Sequence, residues 1–391
     1  MKLRKITCCE RGRVWLATFT LVLVATRCFA QEPVSTEMVP NYATEPWTAG
    51  TTGDALIQSA SGATIPLSLY PFLATKDNTG RMVTLVGGNP LVGGPVPITI
   101  DAVVIPLQII IGTSVFDPTA PNSCDGDVSA VTRFRESPLV VSSKLVFNGV
   151  DVGSTQYIDG FMRAEFWDLI KGAPDNYSTK LNWSFGPVYQ IATGNLGITS
   201  GTGCKLQGII SQKLLSENVN LLIPLLQSVG LISPTKLVVF LLNNVVTSGA
   251  VPPNPTQCCT YGLHGAQGSP IQTFARIDYD TTGRIPHDMS IAAHEIGEWM
   301  NDPLGHNATP EWGNVGQSHG CKSGMEVGDP LTGTNMPVIK LSGYTYHVQE
   351  LAFFSWFFNA QHTPSIGAGG EFSGHGTFGG PAKACPPGGW Y

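Results

Sequence analysis

Apolar residues recur in short runs along the first two thirds of the chain. Thr64–Tyr70, Met82–Val86, Ile98–Ile111 and Leu139–Phe147 are rich in Val and Ile and are punctuated by Asp-Asn-Thr-Gly, Gly-Asn-Pro and Gly-Gly-Pro turns. That pattern predicts a β-sheet assembly. Aromatic residues at near-helical spacing from Tyr157 to Trp167 predict a short helix packed on the sheet. Ser211–Ser228 predicts a second helix, broken or kinked near Pro224. Lys236–Thr247 then reads as a buried strand, and Ile271–Tyr279 as another with Gln272, Arg276 and Asp278 on one polar-facing side. Tyr346–Phe358 predicts an apolar helix, and Ser365–Tyr391, with nine glycines, a loose tail. The expected class is α+β: a β-rich region over residues 31–250, a module over 251–364 built on an active-site helix, and the tail over 365–391.

Composition adds a compartment. Lys2, Arg4, Lys5, Arg11 and Arg13 precede an apolar run from Val14 to Ala25 and a Cys28-Phe29-Ala30 end, which predicts a signal peptide over residues 1–30. About twelve apolar residues are too few to span a hydrocarbon core of ~30 Å. The mature chain is therefore expected to be soluble and exported, extracellular or periplasmic. Without residues 1–30 it has 16 basic and 27 acidic residues and a formal charge of −11, which argues against nucleic acid and anionic lipid as partners. Six cysteines remain, Cys124, Cys204, Cys258, Cys259, Cys321 and Cys385, enough for three disulfides in an exported chain. Adjacent Cys258 and Cys259 are expected to take different partners, and Cys385 is placed to pin the tail.

All eight histidines fall between His264 and His375, so histidine chemistry is confined to the C-terminal third. Within it, Ser290-Ile-Ala-Ala-His294-Glu295-Ile-Gly-Glu298-Trp-Met-Asn-Asp302-Pro303 predicts a helix of about 12 residues, N-capped by Asp288 or Ser290 and stopped at Pro303. His294 and Glu298 are four apart and lie about 40° from each other around the axis, so both can address one ion. Glu295, about 100° away, suits a general base acting on a water. A surface helix with solvated carboxylates is the alternative, opposed by the apolar Ile291, Ile296, Trp299 and Met300 around the acids.

This helix resembles the H-E-x-x-H helix of the zincin metallopeptidases, with glutamate in place of the second histidine. It is more closely similar to a group of exported proteins with a H-E-x-x-E-x-x-x-D-P helix and an E-x-G-D turn, matched here by His294, Glu295, Glu298, Asp302, Pro303, Glu326, Gly328 and Asp329. The likeness covers roughly Cys258 to Phe358. It implies a zincin-like module with Glu326 as third ligand and Glu350 in reserve. It further implies Asp302 and Asp329 as groups orienting the ligands, and His347 or His264 as an oxyanion donor. The implied ion is Zn2+, with Mn2+ or Ca2+ as alternatives because carboxylates replace imidazole. The expected function is a metal-dependent hydrolase, foremost a peptidase cleaving an extended peptide or protein that pairs with Ile271–Tyr279 as an edge strand. The competing expectation is a non-catalytic exported binding or surface protein with a structural ion. A glycosidase reading lacks a specific carboxylate pair.

Overall fold

Of the Val- and Ile-rich segments, Ile98–Ile111 enters one large mixed sheet, whereas Leu67–Ala74 pairs with Thr79–Val86 and Ser143–Phe147 with Val150–Thr155 in separate hairpins. The computed structural model describes residues 41–74, 79–92, 97–284, 288–313, 321–332, 336–360, 364–366 and 372–378. The expected signal peptide and Cys385 lie outside these residues. The eleven strands of the sheet are β1 (Asn41–Glu45), β2 (Ile98–Ile111), β3 (Ser114–Phe116), β4 (Thr179–Phe185), β5 (Tyr189–Ala192), β6 (Gly197–Ser200), β7 (Gln207–Ser211), β8 (Lys236–Asn243), β9 (Val245–Ser248), β10 (Cys258–Gln267) and β11 (Gln272–Tyr279). Their order is β6-β7-β9-β10-β11-β8-β2-β3, with β1 also on β10 and β4 and β5 also on β2. The sheet thus draws strands from both sides of position 250.

The centre of the sheet explains its sequence. Strand β8 runs parallel to β2 on one side and to β11 on the other, and a strand covered on both faces reads as a continuous apolar run. Leu237, Val239 and Leu241 enter one core, while Val238, Phe240 and Leu242 enter the other. The second core is closed by helix Gln212–Ser228 through Leu215, Val219, Leu222, Ile223 and Leu226. The first is closed by helices Tyr157–Glu165 and Ser290–Asn301, hereafter α1 and α2, with α1 also packed on the hairpin of residues 143–155. The protein is therefore mixed α/β and mostly β.

Several elements differ from expectation for local reasons. The predicted strand over 236–247 is two strands, because Asn244 takes a positive φ of 55° between β8 and β9. Only Ser143–Phe147 of the run from Leu139 is strand. The 212–228 helix continues through Pro224, which is exposed on its outer side while Leu222, Ile223 and Leu226 hold both halves to the sheet. Gln272, Arg276 and Asp278 are buried. Strand β11 is not an edge, since β10 lies antiparallel on one side and β8 parallel on the other, so it has no free backbone for a substrate strand. Helix over 346–358 shrinks to Phe354–Phe358, because Tyr344–His347 belongs to a hairpin with Val338–Leu341.

The tail is partly packed: Ser373 bridges Ala352, and Phe353 N donates to Phe372 O at 2.9 Å. Cys124 bonds Cys204. Cys258 and Cys259 bond each other, contrary to expectation, across a cis peptide that leaves their Cα atoms 3.0 Å apart.

Candidate metal centre

Helix α2 spans the predicted residues, but nothing about it is a surface helix. All twelve of its side chains are buried. It lies across β10 and β11, and Gly297 lets Leu351 pack against its backbone, since a Cβ there would sit 2.5 Å from Leu351 Cδ1. Its N-cap is Met289 with no side-chain cap, rather than Asp288 or Ser290. Asp288 instead accepts from His347 N at 2.9 Å and pairs with His347 Nδ1 at 2.8 Å. Burial, more than capping, holds this helix in place. At its far end Asp302 accepts from the backbone of His306 and Asn307 at 2.9 and 3.0 Å, which turns the chain after Pro303.

The buried face of α2 gathers two histidines and four carboxylates. His294 Nε2 lies 3.0 Å from Glu298 Oε1 and 3.5 Å from Asp329 Oδ1. His264, carried by β10, places Nδ1 3.4 Å from Glu295 Oε2 and 3.5 Å from Glu298 Oε2. These contacts define two groups whose donor atoms lie within 4.8 Å of one another: His264, Glu298 and Glu326, and His294, Glu298 and Asp329. The predicted set of His294, Glu298 and Glu326 is thus divided between them. Asp329, expected to orient the ligands, and His264 each bring a possible donor atom into these groups. Exposure of the six side-chain-bearing residues runs from 0 to 8%.

Small residues make the room. A Cβ on Gly328 would lie 2.5 Å from His294 Nδ1, and one on Gly262 would lie 2.2 Å from Glu295 Oε1. On its other face His294 stacks against Tyr42, ring centroids 3.7 Å apart. Gln349 fixes the ring's tautomer: its Nε2 donates to Gly328 O at 2.6 Å, so its Oε1 accepts from His294 Nδ1 at 3.1 Å and leaves Nε2 facing the acids. Glu298 Oε1 accepts from Gly328 N and Asp329 N at 3.1 and 3.2 Å. Lys322 pairs with Asp329, and Thr44 Oγ1 donates to Glu326 Oε1 at 2.5 Å.

Electrostatics within this cluster are severe. Burial disfavours ionisation of Glu298, yet the charge of His294 and hydrogen bonds from His264 and His294 prevail and hold its pKa below the usual range. Burial raises Glu295 to about 7, with His264 opposing. Both histidines are pushed upward despite burial, His264 chiefly by the charge of Glu326 and His294 by that of Glu298. Burial and the charge of Glu298 push Glu326 upward.

A family-level identification does not follow. Comparison with protein-family models, curated proteins and solved structures found no match. The geometry therefore stands by itself, and its chemistry suits a cation. His264 Nε2 and Glu295 Oε1 are buried without a hydrogen-bond partner, and His294 Nε2 faces the carboxylate oxygens of Glu298 and Asp329; buried groups of this kind are costly unless something pairs with them. Mixed imidazole and carboxylate donors are those of Zn2+ and Mn2+ sites, whereas Ca2+ takes oxygen ligands.

The remaining predicted residues lie outside both donor groups. Glu350 is not on a helix, and its carboxylate accepts from Ser373 Oγ, His375 N and Thr377 Oγ1 at 2.6, 2.7 and 2.5 Å. His347 belongs with Asp288, and Asp302 with the turn after α2. Sequence reasoning missed Gln349, Tyr42, Thr44 and Lys322. Only Gln349 carried a signal, as the neighbour of a residue already chosen.

Proposed function

We propose that this chain is an exported metal-dependent hydrolase, most directly a zincin-like peptidase, with Glu295 as its general base. The observation that carries this reading is the state of Glu295. It belongs to neither three-residue donor group, its Oε1 has no partner, and it stands beside the donors in a niche kept open by Gly262. A purely structural ion would need no such group.

A divalent ion, held by His294, Glu298 and Asp329 or by His264, Glu298 and Glu326, would acidify a water and polarise a carbonyl. Zn2+ is the first candidate and Mn2+ the second. Glu295 would accept a proton at Oε1 and return it to the leaving amine. A pKa near 7 suits a group that must do both at neutral pH. His264 Nδ1, beside Glu295 Oε2, would keep that carboxylate turned toward the donors. An extended peptide remains the proposed substrate, bound elsewhere than along β11.

A second reading has its own support. The donors are almost wholly buried, and structural ions sit in closed sites whereas catalytic ones keep an open position. Under it, the chain is an exported binding or surface protein with an ion that only holds the fold. Elemental analysis and peptide-library cleavage by wild type and Glu295→Gln separate the two. The hydrolase reading expects metal in both proteins and cleavage by wild type alone. Metal without cleavage in either would favour the structural ion.

A further inference from the structure

We propose that the centre holds two divalent cations bridged by the carboxylate of Glu298. This inference rests on the metal-dependent reading above and goes beyond it, since that reading needs only one ion.

The donor atoms fall into two groups, and Glu298 is the single residue common to both. Its two oxygens face opposite ways: Oε1 toward His294 Nε2 at 3.0 Å, and Oε2 toward His264 Nδ1 at 3.5 Å. Backbone N–H groups of Gly328 and Asp329 fix Oε1 and with it the plane of the carboxylate. A carboxylate offering one oxygen to each of two histidine-bearing groups is the arrangement of a bridge. Ions in two-metal sites lie about 3.5–4 Å apart, a span that one carboxylate can cover.

Both sides of that bridge concentrate acid. In one group His294 Nε2 faces two carboxylate oxygens, Glu298 Oε1 at 3.0 Å and Asp329 Oδ1 at 3.5 Å, while beside the other Glu295 Oε1 is buried without a hydrogen-bond partner. One ion would serve one side.

The full chain is stripped with chelator, reloaded with Mn2+, and dialysed. Bound manganese is counted by elemental analysis, and its EPR spectrum is recorded. Two ions per chain with an exchange-coupled spectrum are expected. Asp329→Asn should retain one ion and give an isolated-ion spectrum. One ion in wild type, or two without coupling, would overturn the bridge and leave the hydrolase reading standing. No bound ion would overturn both. Wild-type stoichiometry and coupling decide the matter even where Asp329→Asn fails to fold.

Discussion

Gln349 holds His294 in a single tautomer. Its amide is locked by donation to Gly328 O, so the oxygen that meets His294 Nδ1 can only accept. Partners of this kind typically affect metal affinity by 10–100-fold. Gln349→Met, of similar volume, should weaken Mn2+ or Zn2+ binding by about that factor while far-UV circular dichroism stays native. Unchanged affinity in a competition titration would mean that the amide does not set the ring.

Two glycines on opposite sides of the centre should fail differently. Gly328→Ala drives a methyl into the His294 ring, and Gly262→Ala drives one into Glu295 Oε1. Each should lose roughly 1–3 kcal/mol of stability from overpacking. Gly328→Ala should also lose metal, whereas Gly262→Ala should retain it and lose cleavage. Metal analysis and a peptide assay on both variants check the contrast, and identical behaviour would contradict it.

Glu165 predicts a pH dependence away from the centre. Burial raises its pKa well above the ordinary value, and the N–H of Phe354 opposes this. The folded state then keeps a proton that the unfolded chain releases above pH ~4.3, so stability falls as pH rises from there through the folded pKa. Glu165→Gln removes this loss. Its melting temperature relative to wild type should rise between pH 4 and pH 8, and a constant difference would refute the assignment.

Cys124 and Cys204 close a loop of 80 residues. By loop-closure entropy this cross-link contributes roughly 4 kcal/mol. The double serine variant should unfold at correspondingly lower denaturant, measured by fluorescence. Equal midpoints would show the cross-link to be dispensable.

What the sequence revealed depended on range. Ile98–Ile111 appears with its predicted boundaries and the Ser290–Asn301 helix with its predicted stop, since turn residues and Pro303 act locally. His294, Glu295 and Glu298 were legible because helical spacing alone orders them. His264 was expected only as an oxyanion donor, because it reaches the acids through the register that sets β10 against β11, His264 opposite Ala275. Glu350, the reserve ligand implied by the resemblance, stands next to Gln349 in the chain. In a segment that is not helical, neighbouring side chains point apart, and Gln349 is the one that faces His294. Tyr42 had no signal at all, for its place depends on pairing between strands more than 200 residues apart, β1 and β10.

That pairing carries a consequence for timing. Thr44 is matched with His264 across β1 and β10, and its hydroxyl meets Glu326, 282 residues later. A ribosome delivers Thr44 long before either partner exists. Closure of the centre must wait for most of the polypeptide, so any ion it takes up is acquired late, and its retention would report that β1 has met the C-terminal third.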